Sequence, residues 1–404
     1  SWYQRVSAPA GVYIIYGARR GKPIRKDVMQ PKAARNIPIE ALRLVAVAGI
    51  AVFHTFQWTF QATCVGAVEY APLAMSPHSG ALGFINLLGC WANEVFFMIS
   101  GYFLIASAAR AWDGGATWKS QMQRTAQRLG KVIMPTAFYC LVALAWSTVV
   151  SPIPDVTLNT HYWYTLGLEF IWVYAATVFM ATWFGLAKSR LPQKTYKTTV
   201  IAVGILAFVV NGYLAAMSAT SAGEFSWLQK FMSAATYVIA FLIGGLLRDV
   251  TDAMDSDRAG ALGTRSLAAV LAFVTILEGE LSFTGNLTAM ATLSYKSTSL
   301  ISFALAAASL LFAATRRSAS GNPWTAGVIV TLSTATLGFY VMQSLTSSLW
   351  RPIFNTLLAN ILVSQNSPAA ICIVTGTVIS IVFALVLLII DAARSLIARK
   401  LKRQ

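Results

Sequence analysis

Apolar residues fall along this chain in runs of about twenty, separated by short polar connections. Ten runs can be drawn, at roughly 38–60, 82–106, 131–151, 162–187, 198–218, 228–247, 265–282, 297–315, 326–350 and 369–393. A helix of that length matches the hydrocarbon thickness of a bilayer, and lipid offers no partner to an open strand edge. The pattern therefore predicts an all-α, polytopic integral membrane protein of about ten transmembrane helices. The seventh run is the weakest, because Glu278, Gly279 and Glu280 crowd its end. No internal repeat or Pro-rich linker is present. Residues 1–36 read as a basic extension, 37–395 as the transmembrane domain and 396–404 as a basic tail. The patch Val12 to Tyr16 within the extension is too short to span and suits the interface or a flexible tail. The first long run starts only near Ile37, behind a basic stretch, and reads as an uncleaved first helix.

Composition agrees with the pattern. Hydrophobic residues make up 56% of the 404 and charged residues 11%, against roughly 25% charged in soluble domains. The formal charge of +16 could point to nucleic acid, but its distribution argues against that. Basic clusters precede the first run (Arg19 to Arg35) and follow the second (Arg110 to Arg128), fourth (Lys188 to Lys197), sixth (Arg248 to Arg265), eighth (Arg316, Arg317) and tenth (Arg394 to Arg403). The alternate connections are almost free of them, with Lys296 and Arg351 the exceptions. That alternation places both termini in the cytoplasm and the protein in the plasma or inner cell membrane. Cys64, Cys90, Cys140 and Cys372 show no metal or redox spacing, and no metal is expected.

Charged groups inside a bilayer are candidates for function. Arg43 and His54 lie eleven residues apart, close to three helical turns, so they share one face at depths about 16 Å apart. Histidine suits proton transfer near neutral pH, and arginine suits phosphate or carboxylate. A structural histidine and a snorkelling arginine fit the same spacing. The second run carries Asn93-Glu94 and Phe96-Phe97, then Ser100-Gly101, where small residues permit close helix approach. His78 falls in the first outer loop, and His161 at the outer start of the fourth run, where it opens an aromatic stretch.

Three of these features together resemble acyltransferase family 3, whose members are membrane O-acyltransferases. They are Arg43-x10-His54, Glu94-x-Phe96-Phe97-x-x-Ser100-Gly101, and Arg128-x-x-Lys131 followed by Pro135. Weaker likenesses are His161-Tyr162-Trp163-Tyr164, Phe241-x-x-Gly244 and Gly338-x-Tyr340, together covering roughly residues 36 to 350. The chain departs from the family pattern at Lys131, where arginine is usual, and at Gln343, where histidine is usual.

The resemblance implies acetyl-CoA or another acyl-CoA as donor, entering from the cytoplasm with its phosphates near Arg43, Arg128 and Lys131. His54 and Glu94 would be catalytic, with His54 as the general base. Ser100, Asn93 and His161 would serve the oxyanion or the acceptor, an extracytoplasmic sugar or glycolipid. A transporter or flippase for a polar or lipid-linked solute is the competing reading, and an inactive scaffold a third.

Overall fold

The computed structural model describes residues 35–154, 156–157, 168–218, 226–294, 298–316, 322–364 and 367–401. His161, residues 1–34 of the amino-terminal extension, Lys296 and the last three residues lie outside this set. Among the described residues the fold is entirely helical. The α-helices in chain order are α1 (Ile37–Cys64), α2 (Ala71–Ala74), α3 (His78–Asp113), α4 (Trp118–Val149), α5 (Glu169–Arg190), α6 (Gln193–Ser218) and α7 (Ser226–Ala253). They continue with α8 (Ser256–Phe283), α9 (Leu287–Ser294), α10 (Leu300–Thr315), α11 (Pro323–Ser333), α12 (Thr336–Leu345), α13 (Ser347–Ser364) and α14 (Pro368–Leu401).

Eight of these helices are long and apolar enough to cross a membrane. Counting α11 and α12, bent by 42° at a short break, as one span gives nine. The remaining predicted run corresponds to α10, whose 16 residues reach only about 24 Å as a helix. Helix α1 starts where the side chain of Asn36 accepts from the Ile39 amide at 3.2 Å, with Pro38 in the first turn. Both features satisfy or remove amides that have no helical partner. Helix α4 starts thirteen residues before the apolar run that predicts it, capped by Thr117. Its first half is the basic segment holding Lys119, Arg124, Arg128 and Lys131. His78 opens α3 rather than sitting in a loop.

Helix α3 is the hub. It packs against α1, α5, α7, α8 and α10, and Val95, Phe97, Met98, Ile99 and Ile105 on it are completely buried. Its crossing with α7 depends on two glycines. A Cβ on Gly101 would overlap the carbonyl oxygen of Phe241, and one on Gly244 would overlap that of Met98. The two backbones therefore touch, each through the other's glycine. Because a core already at packing density resists added atoms, Gly101→Ala or Gly244→Ala should destabilise the fold by about 1–3 kcal/mol or more. A fall in the thermal unfolding midpoint in detergent would report it, with Gly279→Ala, where a Cβ meets nothing, as control.

Polar clamps fix several helices relative to one another. Ser380 on α14 donates to Thr55 at 2.8 Å, beside His54. The Trp91 indole donates to Ser309 on α10 at 3.1 Å. Tyr139 on α4 and Arg394 on α14 both donate to Asp391, each at 2.7 Å. Within a membrane such bonds average about 0.6 kcal/mol each, so they set register more than they add stability.

Candidate active site

Along α1, Arg43, Val47 and Ile50 follow one another at helical spacing and line one wall of a cavity of about 350 Å³. Helix α4 contributes Arg128 and Lys131, and α3 contributes Phe96, Ser100 and Leu104. Phe170 and Tyr174 come from α5, and Phe339 and Tyr340 from α12. The three cationic side chains expected to bind donor phosphates thus converge on one space. Lys131 is exposed, while Arg43 and Arg128 are half-buried. Arg43 is held by Glu40, one turn earlier, at 3.0 Å. Arg128 is steadied by the Ser107 hydroxyl at 3.2 Å. The break between α11 and α12 also faces this cavity, through Ser333, Thr334 and Thr336. Irregular backbone at membrane depth is tolerated where it lines such a space, and the first turn of α12 adds amides without helical partners.

The inner wall is aromatic. Phe97 stacks on Tyr237 with centroids 4.7 Å apart and nearly parallel planes, and it meets Phe170 edge-on at 5.1 Å. Phe170 in turn packs on Tyr340 at 4.7 Å. Each such pair contributes about 0.5–1.5 kcal/mol beyond its buried area, which makes this a firm partition. Ser100, buried on α3, is hydrogen-bonded to the Tyr174 hydroxyl at 2.9 Å, so two hydroxyls face the cavity together.

The other predicted residues are placed differently. His54 continues the Arg43–Val47–Ile50 stripe but sits one turn, about 6 Å, beyond the last lining residue. Its Nδ1 lies 3.4 Å from Gln57 Oε1 and 3.5 Å from Arg351 Nη2. Imidazole and cavity are therefore neighbours on one helix face, not members of one lining. Glu94 is fully buried on a different face of α3, near Ser302 and Cys90; it does not touch the cavity. Asn93 donates to the Tyr237 hydroxyl at 3.2 Å and belongs to a second cavity. Gln343, at the departed histidine position, is buried, and its backbone carbonyl accepts from the Trp350 indole at 3.0 Å.

Arg351, Gln57, Tyr174 and Tyr340 join the site without having been singled out by spacing. Arg351 did leave a trace, as one of two basic residues on the side that the alternation otherwise keeps clear. If Gln57 orients the imidazole through Nδ1, as the partner of a catalytic histidine does, then Gln57→Leu should lower turnover with donor affinity unchanged. Steady-state kinetics and a donor-binding titration would separate the two effects.

No group of three or more His, Cys, Asp or Glu side chains able to hold a metal occurs among the described residues. None of the four cysteines forms a disulfide.

Apolar helices of spanning length, gathered around a cavity with a basic rim, define a multi-pass membrane protein. The family model for the acyltransferase domain of acyltransferase family 3 matches residues 36–388, and the chain belongs to that family of membrane acyltransferases. No curated protein and no solved structure matches the chain.

Proposed function

We propose that the protein is a membrane O-acyltransferase, in the first instance an O-acetyltransferase. It moves an acyl group from cytoplasmic acyl-CoA to a hydroxyl of an extracytoplasmic glycan or glycolipid. The observation that carries this reading is the convergence of Arg43, Arg128 and Lys131 on one aromatic-walled cavity whose α1 wall leads to His54. With α10 taken as a tenth, short span, both termini lie in the cytoplasm of the plasma or inner membrane, and the basic rim then faces the compartment that holds acyl-CoA.

The cavity suits a long ligand with an anionic head. Guanidinium and ammonium groups and the first turn of α12 would hold phosphates. The apolar walls would hold the pantetheine arm and point its thioester toward His54. His54, held through Nδ1, would accept the acceptor hydroxyl's proton at Nε2 as the oxygen attacks the thioester carbonyl. The tetrahedral oxyanion needs a preorganised donor, and the Ser100–Tyr174 pair is the one the cavity offers. Collapse breaks the carbon–sulfur bond, and the departing thiolate takes the proton back from His54. The products are an ester and free CoA. Glu94, remote from the cavity, would act on the packing of α3 and α10 around the site rather than on the reacting atoms.

Acyl-CoA does not cross membranes, which gives a direct test. Acetyl-CoA carrying label in its acetyl group is added to sealed vesicles of known orientation. Label is expected in base-labile ester on glycan or glycolipid only when the face bearing the termini is outward. Equal labelling in both orientations, or none, would count against the reading. The broken α11–α12 span also suits a transporter. Translocation of a solute without ester formation would favour that alternative.

A further inference from the structure

A second cavity, of about 400 Å³, lies across the aromatic partition from the first. On α1 it is reached by Phe53 and on α3 by Gly89, Cys90 and Asn93. These positions lie further toward the end of α1 and the start of α3 than the residues of the first cavity. Thr298 closes one edge, and the remaining wall is one face of α7. Ser226, Gln229, Lys230, Ser233 and Tyr237 recur there at helical spacing, all on the cavity. A hydroxyl, an amide, an ammonium, a second hydroxyl and a phenol on one stripe of a spanning helix line a polar cavity, a lining suited to a polar occupant.

Three further observations fit that occupant. Asn93 spends its amide N–H on Tyr237, and its carbonyl oxygen is buried without a hydrogen-bond partner. A buried acceptor of that kind requires an explanation, and a ligand hydroxyl supplies one. Lys230 forms no ion pair among the described residues and stands at the end of the molecule where basic residues are otherwise rare. Phe53 adjoins His54 in the chain, with ring centroids 5.0 Å apart, so the cavity lies beside the imidazole.

We propose that this cavity is the acceptor subsite, shaped for a hydroxylated sugar that carries an acidic group taken by Lys230. The proposal rests on the acyltransferase reading and extends it. Donor and acceptor would occupy opposite sides of the Phe97–Tyr237 partition, and the acyl group would pass between them at His54. Asn93, Gln229 and Ser233 supply donors and acceptors for hydroxyls, and Phe53 and Tyr237 supply apolar faces for the sugar ring. The acid is either a carboxylate of the sugar itself or a phosphate linking it to a carrier; Lys230 recognises both alike.

The test uses membranes containing the full chain and acetyl-CoA labelled in its acetyl group, with Lys230→Met, Lys230→Arg, Gln229→Leu and Ser233→Trp variants. Ester label on extracted glycan and glycolipid is counted, and acetyl-CoA affinity is measured in parallel as a check on folding. Lys230→Met should lower transfer by about tenfold or more, the effect of removing a charge-assisted hydrogen bond. Lys230→Arg should keep most of it. Ser233→Trp, which fills the cavity, should abolish transfer, and Gln229→Leu, which preserves shape, should weaken it should the tryptophan disturb folding. Acetyl-CoA affinity should stay unchanged throughout. The labelled product should be anionic: loss of the charge on mild acid hydrolysis identifies a sugar phosphate, and its retention identifies a carboxylate. Wild-type transfer by Lys230→Met and Gln229→Leu, or an uncharged product, overturns the subsite and leaves the donor assignment standing. Wild-type membranes that neither bind acetyl-CoA nor form ester would overturn the acyltransferase reading, and the subsite with it.

Discussion

Replacing His54 with alanine is expected to lower acyl transfer by about 10²–10⁴-fold, the range for losing a positioned general base, with acyl-CoA affinity unchanged. The separation of the two effects follows from placement. His54 stands one turn beyond Ile50, outside the lining of the basic cavity, so its removal leaves the phosphate and pantetheine contacts of a ligand seated there in place. Folding should also be spared, because the clamp next to it belongs to Thr55 and Ser380 and not to the imidazole. Single-turnover transfer alongside equilibrium binding would read both quantities. A variant that binds donor normally and transfers at the wild-type rate would remove His54 from the chemistry.

Arg128→Ala is expected to weaken acyl-CoA binding by about 10- to 100-fold, equivalent to about 1.5–3 kcal/mol for one charge-assisted contact. Raising the salt concentration should narrow the difference from wild type, since screening weakens the same contact. Arg43→Ala should cost more, for a second reason. Glu40 is 7% exposed and has Arg43 as its ion-pair partner, so the variant leaves a buried carboxylate without its counter-charge. The double variant Glu40→Gln with Arg43→Ala removes that penalty and isolates the loss of ligand contact. Calorimetric titration with CoA checks all three, and unchanged affinity in Arg128→Ala would exclude the basic rim as the phosphate site.

The parts of the fold legible in the sequence are those that lipid dictates. Among the described residues, nine of the ten apolar runs each lie mainly on one helix, because spanning length and hydropathy are local properties. Departures arise where helix and apolar run part company. Helix α4 reaches back to Trp118 through a basic segment that hydropathy discounts but that a cap and long side chains readily support. The run at 326–350 reads as one span, yet it breaks at Thr334 and Ala335 beside the cavity; an interruption of two residues disappears in a twenty-residue average. Gly101 and Gly244 are visible as small residues, while their reciprocal contact is a property of the packed pair.

At the site, the stripe from Arg43 to His54 follows from helical spacing alone. The meeting of that stripe with Arg128, Lys131 and Ser100 comes from the resemblance and now has a cavity to hold it. Glu94 belongs to the same sequence motif as Ser100 but points to another side of α3, because six residues along a helix is not a whole number of turns. Arg351 lies 297 positions from His54 in the chain, and no spacing rule links two helices that far apart. Tyr174 is indistinguishable in sequence from aromatic residues that face lipid, and Tyr340 is marked only by the weak Gly338-x-Tyr340 likeness.

The central claim is that one ligand spans from the basic rim to the imidazole. The most direct measurement is a structure of the purified protein with a non-hydrolysable acetyl-CoA analogue. The account predicts its phosphates at Arg43, Arg128 and Lys131, and its pantetheine arm running along Val47 and Ile50, with the acetyl end at His54. An analogue bound elsewhere, or seated in this cavity with its acetyl end directed away from α1, would contradict it.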